Sequence, residues 1–295
     1  MRKLSILLFL AVATSMYAKT LRVSNVKGST APYSTVAAAL EAANDGDVIM
    51  VDASPNSYGD VEITKKITLQ GPGFFLVANG IAQEGQTTAE FGDITIKKEG
   101  VKVSSISAKR IEANNYDKVV ITRCWSQTIS IYKTSGAIVH QNYIRWRLDT
   151  DYATNAQITN NIVSFFSSSD YMNGLNNSVV KYNTFITFGR AFYQSFKDCV
   201  IEYNIGTSLE SNTDADNTVR NNKGYPTGYY DNYTTDSDIK ALDQALTTSH
   251  GAFAGDDPYR ISGVAAGPVI EDIEVPASVE QGSDLKVKVT IGTKK

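Results

Sequence analysis

The chain of 295 residues is poor in the residues that most often announce a chemistry. It holds 2 Cys, 2 His, 2 Trp, 4 Met and 7 Pro. His140 and His250 stand far apart in the chain, no H-E-x-x-H occurs, and the Cys are not paired as CxxC. Zinc catalysis of the familiar kinds is therefore excluded, and no Ser/His/Asp set or P-loop can be assembled either. Charge of one sign is also lacking. The 28 Lys+Arg against 31 Asp+Glu leave a formal charge of −3, which offers no basic field for nucleic acid. Long apolar runs are missing too: the longest, Leu4 to Val12, has nine residues and is too short for a membrane span. What the chain does have is 21 Gly, 20 Asn, 16 Tyr and 11 Phe, a mix that favours strands and tight turns over helix bundles. At 42% hydrophobic and 20% charged, the length suffices for a sizeable core in one or two domains.

Residues 1–18 read as a signal peptide. Arg2 and Lys3 supply the positive region, Leu4 to Val12 the apolar one, and Ala13, Ser15 and Ala18 the small residues before a cut. Cleavage is expected after Ala18 or after Ser15. The mature chain is then a mildly acidic exported protein (periplasmic, at the outer surface or secreted) without a transmembrane span.

A repeat emerges between residues 118 and 224. Six segments read VVITRCWS (119–126), AIVHQNYI (137–144), AQITNNIV (156–163), SVVKYNTF (178–185), CVIEYNIG (199–206) and NTVRNNKG (217–224). Aligned on Cys124, Asn142, Asn161, Asn183, Asn204 and Asn222, they recur every 18 to 22 residues. The third column is always β-branched: Ile121, Val139, Ile158, Val180, Ile201, Val219. The fourth is mostly polar. This is period-2 strand behaviour, and it flips across a bend at the Asn. A leucine-rich repeat needs a Leu ladder, which is absent, so a parallel β-helix remains. Each coil pairs with the next at about 4.8 Å. Asn tolerates a left-handed backbone at a tight bend, and stacked Asn amides can bond to one another along the axis.

The Asn column after V-x-[VI] strands resembles the right-handed parallel β-helix of the pectate-lyase-like superfamily. YSTVAAALEAANDGDVIMVD (33–52), followed by YGDVEITKKITLQGPG (58–73), is similar to the opening of many secreted β-helix proteins. The resemblance covers about residues 20–225 and implies a short helix closing the first coil. Ser34 can cap that helix, Tyr33 can staple it, Val36, Leu40 and Ala43 line its inner face, and Asn44-Asp45-Gly46 stops it. The fold class is thus all-β, a single-stranded right-handed solenoid over residues 19–235, with strands expected at 94–96, 101–106 and 110–113 and an excursion at 79–92. Residues 236–268 read as a helix (236–251) and a Gly-rich connector. Residues 269–295 read as two alternating strands about Gln281-Gly282, which form a mobile hairpin, a docked strand pair or a truncated sandwich module. Cys124 and Cys199 lie four coils apart, about 19 Å along the axis, so the disulfide that export would suggest cannot form and both thiols stay free.

Beyond the Asn, a third strand is expected in each coil, at 110–113, 128–132, 147–152, 169–172, 190–194 and 209–211. In RLDTDY the alternation puts Leu148 inside and Arg147, Asp149 and Asp151 outside. Glu112, Ser130, Asp170 and Arg190 fall near the same outward stack, flanked by Trp146, Tyr152, Tyr171, Phe192 and Tyr193. Such a face suits polysaccharide: rings stack on aromatics, while carboxylates and guanidinium groups bond to hydroxyls and uronates. Charges facing outward on a solenoid also serve solubility. His140 falls in the outward polar column and is expected to be exposed.

The resemblance implies two functional readings. One is a non-catalytic exported protein that binds glycan or serves as a surface or structural module. The other is a polysaccharide lyase or glycoside hydrolase acting on acidic polysaccharide. In the lyases of the superfamily, acids on such a face hold Ca²⁺ and an Arg or Lys abstracts a proton, and paired acids work in its glycosidases. The GHG motif of polygalacturonases and the W-x-D-H of pectate lyases do not occur, so no catalytic residue is carried over. Binding candidates are Trp146, Arg147, Asp149, Asp151, Tyr152, Asp170, Tyr171, Arg190 and Tyr193; the first reading needs no cofactor.

Overall fold

A computed structural model describes residues 18–78, 88–165, 172, 174–187, 191–192, 196–206, 209, 216–224, 249–264, 268–276, 278, 282 and 284–293. The expected signal peptide (but for Ala18), residues 79–87 and most of the expected helix at 236–251 lie outside the described residues. The chain forms a parallel β-solenoid of about seven turns. One sheet has ten strands in the order β1 (Thr20–Val23), β2 (Val48–Val51), β4 (Thr68–Gln70), β6 (Lys102–Ser104), β8 (Val120–Thr122), β10 (Ile138–His140), β12 (Gln157–Thr159), β14 (Val179–Lys181), β16 (Val200–Glu202) and β17 (Thr218–Arg220). The other has seven: β3 (Val61–Ile63), β5 (Glu90–Ile96), β7 (Ser107–Glu112), β9 (Trp125–Ser130), β11 (Tyr143–Asp149), β13 (Ile162–Phe165) and β15 (Thr184–Thr187).

The β-branched column points inward, as its periodicity requires. Ile121, Val139, Ile158, Val180 and Ile201 are all buried. The pairing register carries this column back through Val103, Leu69, Ile49 and Leu21, where the sequence repeat had faded. Helix α1 (Val36–Ala42) closes the first coil with Val36, Ala39 and Leu40 buried. Its cap is Thr35, not Ser34: the Thr35 hydroxyl accepts from the Ala38 N–H at 3.2 Å. The chain turns out of the helix by Gly46, at φ +98°.

The bend between the two sheets has a definite chemistry. The left-handed residue is the one before the Asn, not the Asn itself: Arg123, Gln141, Asn160, Tyr182, Tyr203 and Asn221 all have φ between +54° and +58°. That conformation turns the next N–H inward, away from the strand ladder. Each such N–H is met by the amide oxygen of the Asn one coil on: Cys124 N–H by Asn142, Asn142 by Asn161, Asn161 by Asn183 and Asn183 by Asn204, all at 2.9 Å. Each Nδ2 in turn donates to the carbonyl of the inward strand residue, as Asn161 does to Val139 at 2.8 Å, and to the next Asn Oδ1 at 3.0 Å. A buried donor without a partner costs about 1–3 kcal/mol, so the ladder is what lets the bend be buried.

Two expectations about the coil change. The second and third strands are one continuous strand in β9 and β11. The third face is linked by isolated bridges at Ser135, Thr154, Asn176 and Lys197 rather than by a sheet among the described residues. Residues 249–264, read as a connector, run back along the bend column as a strap. Gly251 N–H donates to the Tyr203 carbonyl, Asn160 Nδ2 donates to the carbonyls of Ala252 and Ala254, and Gln141 Nε2 to those of Asp257 and Pro258. The strap buries a second apolar cluster of Phe74, Tyr143, Ile162, Ile186, Ala252 and Tyr259 on the outer side of the seven-stranded sheet. It also covers His140, which is therefore not exposed: its Nε2 lies 3.1 Å from Asp257. Cys124 and Cys199 are free and buried. The tail strands β18 (Pro268–Glu274) and β19 (Lys288–Thr293) pair antiparallel.

Candidate functional site

The distal halves of β7, β9 and β11 stack in strict register. Arg110, Thr128 and Arg147 form one outward column, and Glu112, Ser130 and Asp149 another. Between them Ile111, Ile129 and Leu148 are fully buried, which fixes the outward direction of their neighbours. The expected stack of Glu112, Ser130 and Asp149 is thus brought together. Within β11, Ile144 pairs with Ser126 and Arg147 with Thr128, so Arg145 and Trp146 together face Gln127 alone. This bulge thrusts Trp146 out to 44% exposure.

Each outer coil carries an Arg–carboxylate couple. Arg147 Nη2 is 3.5 Å from Asp149 Oδ2, and Arg110 Nη1 is 3.3 Å from Glu112 Oε1 and 3.9 Å from Asp93. Exposed pairs of this kind add only about 0–1 kcal/mol to stability, so the fold does not depend on them. The coil between offers only hydroxyls. Ser130 Oγ donates to Asn114 Oδ1 at 2.8 Å and lies 3.5 Å from Asp149 Oδ2. Ser130 is buried, at 4% exposure, and Thr128 is half-buried, so the short Thr128 side chain is the floor of a shallow trough between couples about 9.6 Å apart.

The aromatic edge lies at the turn that follows. Tyr152 is 64% exposed and meets Tyr132 edge to face at 5.8 Å. Lys133 Nζ stands 5.0 Å and 5.8 Å from the two ring centroids. Asp151 does not share the strand face of Asp149. The strand ends at Asp149, Thr150 is buried, and Asp151 sits in the turn with its N–H 3.4 Å from Asp149 Oδ1. Asp170, Tyr171, Arg190 and Tyr193 lie outside the described residues. Arg110, Asp93, Asn114, Tyr132 and Lys133 were missed as site residues. A signal for the first was present: R-I-E at 110–112 and R-L-D at 147–149 share a spacing two repeats apart.

Among the described residues no three His, Cys, Asp or Glu side chains form a set that could hold a metal ion. The acids of the two couples are separated by the Ser130 coil, so the Ca²⁺ that the lyase reading implies finds no such set there. No helix among the described residues is long and apolar enough to cross a membrane. No protein-family model matches the chain, and no curated protein or solved structure matches it either.

Proposed function

We propose that the chain is an exported solenoid module that binds polysaccharide through the outward face of β7, β9 and β11. The observation that carries this reading is the pair of Arg–carboxylate couples in register on either side of a hydroxyl coil, edged by exposed Trp146 and Tyr152. Guanidinium groups donate to sugar oxygens, carboxylates accept from sugar hydroxyls, and aromatic faces take the apolar face of the ring. The positive and apolar segments of residues 2–12 support export. The Asn column and capping helix support a likeness to the pectate-lyase-like superfamily, and a fold does not by itself fix an activity.

Titration of immobilised glycans with the chain tests this. Binding is expected to fall at least tenfold in Tyr152→Ala and Arg147→Ala, with the urea midpoint unchanged because both side chains are exposed. Undiminished binding in both variants would remove the site. The catalytic alternative draws on the closeness of Arg147 to Asp149. It needs two or three acids and an Arg converging within about 6 Å, which Arg110 with Glu112 at 3.3 Å and Asp93 at 3.9 Å meets, and it predicts unsaturated uronate or new reducing ends when polysaccharides are incubated with the protein.

A further inference from the structure

The charge pattern of this face narrows the class of glycan; the inference rests on the reading of the face as a glycan site. The Arg147–Asp149 couple is neutral in itself, and Arg110 stands against two acids, Glu112 and Asp93, whose excess Lys133 balances. Asp93, Arg110, Glu112, Lys133, Arg147 and Asp149 together sum to zero, on a chain whose own formal charge is −3. A polyanion therefore meets no attractive field. It would also have to compete for each guanidinium with a carboxylate two residues away on the same strand. A sugar hydroxyl has no such handicap. It can accept from the Arg and donate to the free lone pairs of the carboxylate at once, completing both partners without separating them.

The spacing adds a second constraint. The two couples stand two coils apart, about 9.6 Å along the axis, with the half-buried Thr128 midway and Ser130 buried beside it. An extended pyranose chain whose alternate sugars turn over presents the same face at every second sugar, a repeat of this length. We propose that the face takes a neutral, extended polysaccharide of that kind, lying along the solenoid axis. Two sugars of like orientation sit over the two Arg–carboxylate couples and the one between lies over Thr128, while Tyr152 stacks on a ring at the edge.

Calorimetric titration of the full chain with cellohexaose, mannohexaose and xylohexaose, against hexagalacturonate, at low and high salt, tests it. At least one neutral oligosaccharide is expected to bind with an affinity that salt does not change, and hexagalacturonate at least tenfold more weakly. Arg110→Met and Arg147→Met are each expected to weaken the neutral ligand at least fivefold, and Thr128→Trp, which fills the trough floor, to abolish binding. Tighter, salt-sensitive binding of hexagalacturonate would overturn the neutral class. If Tyr152→Ala removes that binding, the site itself stands. If no probe binds, or if binding survives Tyr152→Ala and Arg147→Met intact, the site falls with the proposal.

Discussion

Replacing Asn161 with alanine takes one rung from the middle of the amide ladder. Its Oδ1 accepts from the Asn142 backbone N–H at 2.9 Å and from Asn142 Nδ2 at 3.0 Å. Its Nδ2 donates to the Val139 carbonyl at 2.8 Å and to Asn183 Oδ1 at 3.0 Å. Asn142, Asn161 and Asn183 are all fully buried, so water does not take over these partners. The Asn142 N–H and the Val139 carbonyl each lose a bond in the interior, at about 1–3 kcal/mol apiece, for a total of about 2–6 kcal/mol. That is a large share of the about 5–15 kcal/mol that holds a typical domain folded. Asn222, at the last described rung, is the internal control. Its Oδ1 accepts from Asn204 and its Nδ2 donates to the Ile201 carbonyl at 3.0 Å, but it has no Asn beyond it among the described residues and is only partly buried, so Asn222→Ala is expected to cost about 1–2 kcal/mol. The assay is urea unfolding followed by tryptophan fluorescence. The only two Trp, Trp125 and Trp146, sit on the coils headed by Cys124 and Asn142, next to the missing rung. Equal midpoints for the two variants, or a loss under about 1 kcal/mol for Asn161→Ala, would refute the view that the ladder is what permits the buried bend.

Acid should weaken the strap first and the last coils next. Burial holds His140 below its ordinary value of 6.5, against the pull of Asp257, and the hydrogen bond from Lys181, then that from Arg220, hold Glu202 below 4.5. Both folded values are depressed, so each contribution is present above the unfolded value and lost as pH falls through the folded one. The urea midpoint should drop below about pH 6.5 and again below about pH 4.5, and His140→Phe should shrink the first step, leaving the part due to His250, which burial and Lys223 also hold low; a midpoint flat from pH 7 to 4 would contradict this. Burial pushes the Cys124 thiol up to about 12 and raises that of Cys199. Ellman's reagent at pH 8 should therefore leave the native protein unmodified and titrate two thiols in urea, whereas prompt native labelling would argue against the coil packing. At Gly263, φ is +57° and a Cβ would come 2.4 Å from the Arg123 carbonyl oxygen and 2.5 Å from Phe74. Gly263→Ala should cost about 1–3 kcal/mol and lower amide-exchange protection over 249–264; unchanged protection would mean that the strap is not seated there.

The repeat was legible because a solenoid is governed by nearest-neighbour stacking. Ile121, Val139, Ile158, Val180 and Ile201 occupy equivalent places, so one-dimensional periodicity carries three-dimensional register. The separation of Cys124 from Cys199 followed from that register alone. The stack of Glu112, Ser130 and Asp149 was legible for the same reason. The bulge at Arg145 and Trp146 was not, since one extra residue in a strand leaves no mark on composition and shifts only the local alternation. Asp151 was misplaced because alternation was carried past the point where the strand gives way to a turn.

The sequence by itself determined the solenoid, the inward column, the capping helix and the ladder positions, because each depends on residue type at a repeating offset. Only the tertiary structure decided what lies over the bend. The strap of residues 249–264 meets Gln141 and Asn160 across more than 90 positions of chain, and no period links them. It turned His140 from an expected surface residue into a half-buried one held against Asp257. It likewise decided that the left-handed residue precedes the Asn: residue type favours Asn there over Arg123, Gln141, Tyr182 and Tyr203, and the inward turn of the following N–H onto the next Asn outweighs that preference. The scarcity of Cys, His and Pro with which the chain is marked thus has a physical counterpart. Stability comes from stacked strands and shared amides, and the chemistry of the outer face rests on Arg, Asp, Glu and Tyr.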